Sequence, residues 1–263
     1  MIITSVQNPK IKLLKKLFDK ASARREEGVI PVEGFREITL AVQAGHSIDT
    51  LFHCPEIKLQ SGSGGIQQFG LSSHQIVEVT KQVFETYAYR ESSDGVVALL
   101  KPKKTTLSSI QLSATPFVIL LEAVEKPGNL GAILRTADAA KADAVVICDP
   151  RTDIYNPNVI RSSVGCVFTT QVATCTNEEA LVWLKGNSIT SYAAALTATD
   201  FYHQTDFTKP SAIVMGTEAD GLSDFWLKNV QQIKIPMRGK IDSLNVSVCT
   251  AIIAFEAMRQ RGF

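Results

Sequence analysis

Three stretches combine residue types that could bind a charged ligand or manage a proton. The first, Glu125-Lys126-Pro127-Gly128-Asn129-Leu130-Gly131-Ala132-Ile133-Leu134-Arg135-Thr136-Ala137, is a glycine turn leading from a strand into a helix. Leu130, Ile133, Leu134 and Ala137 make one apolar stripe, and Arg135 falls roughly 150° from its centre. An arginine placed there either pairs on the surface with Asp138 or reaches a phosphate or carboxylate with its planar fork. The second stretch, Ile213-Val214-Met215-Gly216-Thr217-Glu218-Ala219-Asp220-Gly221-Leu222-Ser223, ends a strand in a loop with two glycines. Such a loop is either an acidic surface turn or a place where backbone approaches a ligand closely. Open α/β sheets bind ligands at the carboxyl ends of their strands, where this loop lies.

The third stretch runs from Ile235 through Pro236, Met237, Gly239, Asp242, Ser243, Leu244 and Asn245 to Val248. Proline ends a strand, a loop follows, and a helix starts near Asn245. Its polar residues gather at the positive end of the helix dipole, suited to capping or to a developing negative charge. Val246, Val248, Ala251, Ile252, Ile253, Ala254, Phe255, Ala257 and Met258 then point in nearly every direction. That helix is expected to be buried on most sides, within its own domain or under a second subunit.

The elements that position these stretches alternate. Asn8-Pro9 caps a helix through about Lys20, with Ile11, Leu14, Leu17 and Phe18 inside and lysines outside. Strands are expected at 28–32, 48–53, 76–79 and 95–100, with helices at 34–44 and 81–87. Lys101-Pro102-Lys103-Lys104-Thr105-Thr106 is polar, basic and Pro-broken, and reads as a linker. Beyond it, strands are expected at 116–122, 144–148, 168–172, 189–194, 212–215 and 232–235. Helices are expected at 130–141, 157–164, 178–185, 224–229 and from Asn245 onward. This is α/β sequence with a mainly parallel sheet preceded by a small α/β layer. The boundaries follow as 1–100, a linker at 101–114, and 115–263.

At 263 residues, with 45% hydrophobic and 20% charged side chains, the chain has the composition of a soluble globular protein. The net charge of +1 hides an asymmetry: residues 1–25 carry seven Lys/Arg against Asp19 alone. A basic arm suits a polyanion, and a solvated helix face explains it as well. No signal peptide is expected from Met1-Ile2-Ile3-Thr4-Ser5, which runs straight into polar sequence, and the apolar runs are too short to span a bilayer. Five scattered cysteines without a C-x-x-C and four dispersed histidines point to a reduced cytoplasmic protein without a metal site. Only Gly128 and Gly131 are present where G-x-G-x-x-G would be needed, which argues against a dinucleotide-dependent oxidoreductase.

The three stretches together resemble the ordered motifs of the SpoU (TrmH-type) RNA 2′-O-ribose methyltransferases. The likeness covers 115–263 and includes Asn156-Pro157-Asn158-Val159-Ile160-Arg161-Ser162-Ser163-Val164-Gly165. Residues 32–48 look more weakly like the ribosomal-protein-like substrate-binding domain that often precedes it. The resemblance implies an α/β fold whose C-terminal segment threads a trefoil knot, and a homodimer through the last helix. It implies S-adenosylmethionine as methyl donor, with Gly216, Ile235, Met237 and Leu244 at the donor. Asn129, Arg135, Glu218, Ser243 and Asn245 match the family's active-site residues. Lys10, Lys12, Lys15, Lys16, Arg24, Arg25 and Arg161 are the expected RNA contacts.

The family proposal that Arg135 acts as a base meets a difficulty, because a guanidinium has a pKa above ~12. A phosphate clamp and stabiliser of the forming alkoxide suits it better. Departures from the pattern at Glu125-Lys126, Ala140-Lys141 and Cys166 remove no motif residue and leave substrate choice open. The ribosomal-protein-like domain favours rRNA over tRNA. A non-catalytic RNA-binding protein on the same fold is the alternative from another class.

Overall fold

Apolar runs interrupted by single polar caps fold this chain into two sheets, each with its own core. The computed structural model describes residues 2–58, 65–89, 93–103, 105–217 and 220–262. By contacts the chain forms two units: residues 1–104 together with 155–169, and residues 105–154 together with 170–263.

In the first unit, β1 (Ile2–Ile3) leads to α1 (Pro9–Asp19), whose N-cap Asn8 accepts from the Lys10 amide at 2.9 Å. A second short helix, α2 (Ala21–Glu27), follows and ends at Gly28 in the left-handed region, a turn that the periodicity of 9–20 did not signal. Then come β2 (Ile30–Glu33), α3 (Phe35–Gln43), β3 (Ile48–His53), β4 (Ile76–Val79), α4 (Lys81–Phe84) and β5 (Val96–Leu100). The sheet order is β1-β4-β3-β5-β2, parallel at β1/β4 and β3/β4 and antiparallel where β5 meets β3 and β2. Ile11, Leu14 and Leu17 of α1 bury one face of this sheet with Phe52, Val79, Phe84 and Val97.

The second unit starts with β6 (Phe117–Glu122), α5 (Pro127–Ala139) and β7 (Ala144–Cys148). The chain then contributes α6 (Pro157–Ser162) and α7 (Cys166–Thr169) to the first unit. It continues with β8 (Val172–Cys175), α8 (Asn177–Gly186), β9 (Thr190–Ala194), β10 (Asp200–Phe201), β11 (Ser211–Met215), α9 (Asp224–Asn229), β12 (Gln231–Lys234) and α10 (Val246–Arg261). The sheet order is β10-β12-β9-β11-β6-β7-β8, with every described pairing parallel. Parallel strands buried on both faces need apolar residues throughout, and all of β6, β7 and β11 is buried. Val118, Leu120, Val146 and Val214 face α8 and α9 with Leu184 and Trp226, whereas α5 and α10 pack against each other and onto β7 and β11.

One strand, expected at 168–172, is displaced towards the C-terminus. Residues 166–169 form a helical turn, and the strand begins only at Val172. Val164 and Gly165 both take positive φ, at 54° and 85°, which turns the chain out of extended geometry. A Cβ on Gly165 would meet Leu40 Cδ1 at 2.9 Å. Phe168 is then buried with its ring 5.2 Å from His46 and stacked at 6.3 Å on Tyr155. Tertiary packing overrides the β-propensity of Val167-Phe168. No helix among the described residues is long and apolar enough to cross a membrane.

Candidate active site

The order in which successive strands join the sheet reverses beside β6. Strands β7 and β8 extend the sheet to one side, and β11, β9, β12 and β10 to the other. A crevice opens at the carboxyl ends of strands where such a reversal occurs. A cavity of about 530 Å³ lies here, lined by the segments that follow β6, β9, β11 and β12 and by the start of α10. That volume is in the range of small-molecule sites.

Each wall is held for a stated reason. Glu122 ends β6 with its side chain buried, and its carboxylate accepts from the Ser223 amide at 2.8 Å, from Ser223 Oγ at 2.5 Å and from Asn177 Nδ2 at 2.9 Å. Asn177 Oδ1 accepts in turn from Trp226 Nε1 at 2.6 Å. A buried carboxylate persists only when its lone pairs are satisfied, so this network pins the loop after β11 to the end of β6. Sequence reasoning missed Glu122 and Asn177; an acid closing an otherwise apolar strand was the available signal. Ala123, next in the chain, takes φ 48°, a conformation uncommon for a residue with a side chain.

The loop after β11 folds on itself. The Thr217 amide donates to Gly221 O at 2.9 Å, and the Asp220 amide donates to Thr217 Oγ1 at 3.0 Å. A Cβ on Gly216 would stand 2.2 Å from Gly221 C and 2.5 Å from Leu222 N, so only glycine fits. Gly216, Ile235, Met237 and Leu244, the four residues expected at the donor, all line the cavity, as do Ser243 and Asn245. Lys126, Asp220, Lys234 and Asp242 add charge to an otherwise largely apolar wall. Glu218 lies outside the described residues.

Asn245 caps α10. Its Oδ1 accepts from the Ser247 amide at 2.9 Å and from Ser247 Oγ at 2.6 Å, while its Nδ2 donates to Asn129 Oδ1 at 3.1 Å. Ser243 Oγ donates to Asp242 Oδ1 at 3.1 Å. Asn129 sits in the first turn of α5, behind Pro127 at N1 and a Lys126 N-cap without a side-chain capping bond. Arg135, further along α5, is exposed and is not among the residues lining the cavity. It is not engaged with Asp138; among the described residues it has no hydrogen-bond or ion-pair partner.

The expected RNA contacts divide. Lys10, Lys12, Lys16, Arg25 and Arg161 are exposed and Lys15 is half-buried. Arg24 is a correction: it is buried, and its Nη1 donates to Leu17 O at 2.6 Å and Phe18 O at 3.2 Å. Those carbonyls near the end of α1 lack helical partners, and a cation satisfies them. No group of three or more His, Cys, Asp or Glu among the described residues is placed to hold a metal ion.

Comparison with known proteins decides the family. Residues 116–255 match the model of the SpoU rRNA Methylase family, and residues 8–98 match the MRM3-like substrate binding domain. The chain belongs to the SpoU rRNA methylase family. It is 33% identical to the 23S rRNA (guanosine-2′-O-)-methyltransferase RlmB of Vibrio vulnificus, over 74% of this chain and 81% of that one. Among solved structures it superposes on an RNA 2′-O ribose methyltransferase with a TM-score of 0.85 and 35% identity, covering 99% of both chains. It also superposes on the AdoMet-bound rRNA methyltransferase of Sinorhizobium meliloti with a TM-score of 0.88 and 28% identity, covering 98% of this chain and 97% of that one. The SpoU match spans 155–169, the segment that packs in the first unit, so sequence family and contact unit do not share a boundary here.

Proposed function

We propose that this SpoU methylase transfers a methyl group from S-adenosylmethionine to a ribose 2′-hydroxyl of ribosomal RNA. The observation that carries the reading is convergence. Residues from three motifs spread over more than 100 positions line one cavity or bond directly to its lining, at the carboxyl ends of four parallel strands. The cavity fits the donor by size and by chemistry. Leu222, Leu227, Ile233 and Leu244 suit a flat nucleoside, and Lys126, Asp220 and Asp242 suit a charged amino-acid tail.

The donor, when bound, supplies a methyl group already activated on a sulfonium. What remains for the protein is alignment and the hydroxyl proton. Gly216, Ile235, Met237 and Leu244 hold the donor. Arg135 serves as phosphate clamp and stabiliser of the forming alkoxide. Asn129, fixed by Asn245, orients the ribose beside it, with Ser243 and Glu218 completing the site. Lys10, Lys12, Lys15, Lys16, Arg25 and Arg161 contact phosphates, giving a salt-dependent RNA affinity.

The chain works as a homodimer in this reading. Val248, Ile252 and Phe255 recur at helical spacing on α10, and Val248 and Phe255 are 45% and 42% exposed in the single chain. Such a stripe on an otherwise packed helix fits a subunit interface. Threading of the C-terminal segment through a loop as a trefoil knot and a cytoplasmic location belong to the same reading, as do domains at 1–100 and 115–263 joined by 101–114.

The test offers labelled S-adenosylmethionine to the protein with unmodified ribosomal RNA and bulk tRNA separately, alongside Arg135→Ala. Label in ribosomal RNA, resistant to alkaline cleavage at one site and lost in the variant while donor binding survives, is expected. Absence of donor binding in the wild type would favour a non-catalytic RNA-binding protein.

A further inference from the structure

Tyr89 is an exposed aromatic fixed at its root. Its amide donates to Glu33 Oε2 at 2.7 Å, and Glu33 is itself buried at the end of β2. The residue nevertheless remains 46% exposed. The only other aromatic among the large, exposed apolar side chains described is Phe255, which belongs to the α10 stripe. Arg161, from the last turn of α6, places its guanidinium 5.7 Å from the centre of the Tyr89 ring. Helix α6 is held for this. Asn156 caps it, accepting from the Asn158 amide at 2.8 Å, Pro157 starts it, and it packs on β2 in the same unit. The cleft beneath, between Pro31, Pro157 and Ile160, has room for only about 10 Å³, so nothing the size of a base enters it. A ligand must lie on the open ring.

We infer that Tyr89 and Arg161 form a stacking platform for one unpaired nucleobase of the RNA, with the Arg161 charge serving the adjoining phosphate. Unpaired bases in RNA are taken up on tyrosine rings and guanidinium planes, whatever their sequence, because each base has a π face. The site is composite: Tyr89 comes from the stretch that matches the substrate-binding model, and Arg161 from the stretch that matches the methylase model. Only the packing of 155–169 into the first unit brings them together. The inference rests on the RNA methyltransferase reading above.

The experiment measures binding of unmodified ribosomal RNA and of single-stranded oligouridylate, by titration over a salt series, to wild type, Tyr89→Ala, Tyr89→Phe and Arg161→Ala. Affinity is expected to fall about tenfold in Tyr89→Ala and to return in Tyr89→Phe, because the ring and not the hydroxyl does the stacking. Arg161→Ala is expected to weaken binding and lower the salt slope by about one. S-adenosylmethionine affinity and thermal unfolding are expected to stay at wild-type values in Tyr89→Ala. Equal RNA affinity for Tyr89→Ala and wild type overturns the platform while leaving the enzyme reading intact. Failure of Tyr89→Phe to rescue overturns it as well, by showing a role of the hydroxyl. Donor binding without RNA binding in the wild type overturns both.

Discussion

The Asn245 side-chain amide donates to the Asn129 side-chain oxygen at 3.1 Å, tying the N-cap of α10 to the first turn of α5 across 116 residues. Asn245 Oδ1 is already committed to Ser247, so its orientation is set by the cap it makes and its Nδ2 is left to reach Asn129. The same side chain therefore starts a helix and assembles the site.

The two asparagines are separable by mutation. Asn245→Ala loses both the cap and the tie, and should cost about 1 kcal/mol of stability along with most of the methyl transfer. Asn129→Ala leaves the cap intact, so unfolding should stay nearer wild type while transfer falls at least about tenfold. Chemical unfolding and single-turnover transfer, measured on both variants, would check this; equal stability loss in the two would mean that the cap is not what Asn245 contributes.

Gly216 has no room for a methyl group. Its Cβ would overlap the backbone of Gly221 and Leu222, atoms that cannot swing away as a side-chain tip could. Gly216→Ala should push the loop into the cavity and weaken donor affinity by about tenfold or more, the equivalent of ~1–3 kcal/mol of forced repacking. Calorimetric titration with S-adenosylmethionine reads this directly, and undiminished affinity would place the donor elsewhere.

Charge on the α10 stripe should split the dimer. Val248→Glu and Phe255→Glu place a carboxylate where two apolar faces are proposed to meet, and an unpaired buried charge is strongly disfavoured. Sedimentation velocity should show wild-type dimers and variant monomers. A wild-type chain that sediments as a monomer would remove the interface.

His46 should make the first unit sensitive to acid. Burial holds its pKa below the usual 6.5, opposed by the Lys101 carbonyl, which its Nδ1 meets at 3.1 Å, and reinforced by the nearby Lys103 charge. A carbonyl only accepts, so Nδ1 carries the proton of the neutral ring. Below about pH 6.5 the unfolded chain binds a proton that the folded chain refuses. The stability that the neutral ring supplies is thus complete above that pH and is lost as pH falls towards the folded pKa. His53 is shifted the same way, so the comparison needs His46→Phe as its partner. Unfolding free energy should drop more between pH 7.5 and 5.5 in wild type than in His46→Phe; identical slopes would exclude His46 as the source.

Local pattern determined a good deal here. Ile48–His53, Ile76–Val79, Ala144–Cys148 and Asp224–Asn229 were delimited to the residue, because strand alternation, glycine punctuation and helix caps act within a few positions. The three motifs, and through them the family, were also legible, since each is a short run whose order is preserved in the chain; that Gly216, Ile235, Met237 and Leu244 line one cavity is what the fold added. Tertiary structure alone decided the rest. Arg24 looked like one more cation of a basic arm until the end of α1 offered it two carbonyls. Val167-Phe168 had the composition of a strand until positive φ at Val164 and Gly165 and the aromatic contacts with His46 and Tyr155 made a helical turn cheaper. Glu122 with Ser223, Asn129 with Asn245, and Tyr89 with Arg161 are pairs 101, 116 and 72 residues apart. No local propensity encodes such pairs; they form because burying the faces of each sheet fixes where distant caps, charges and rings come to lie, and at the buried Glu122 an unmet carboxylate would cost more than the contact does.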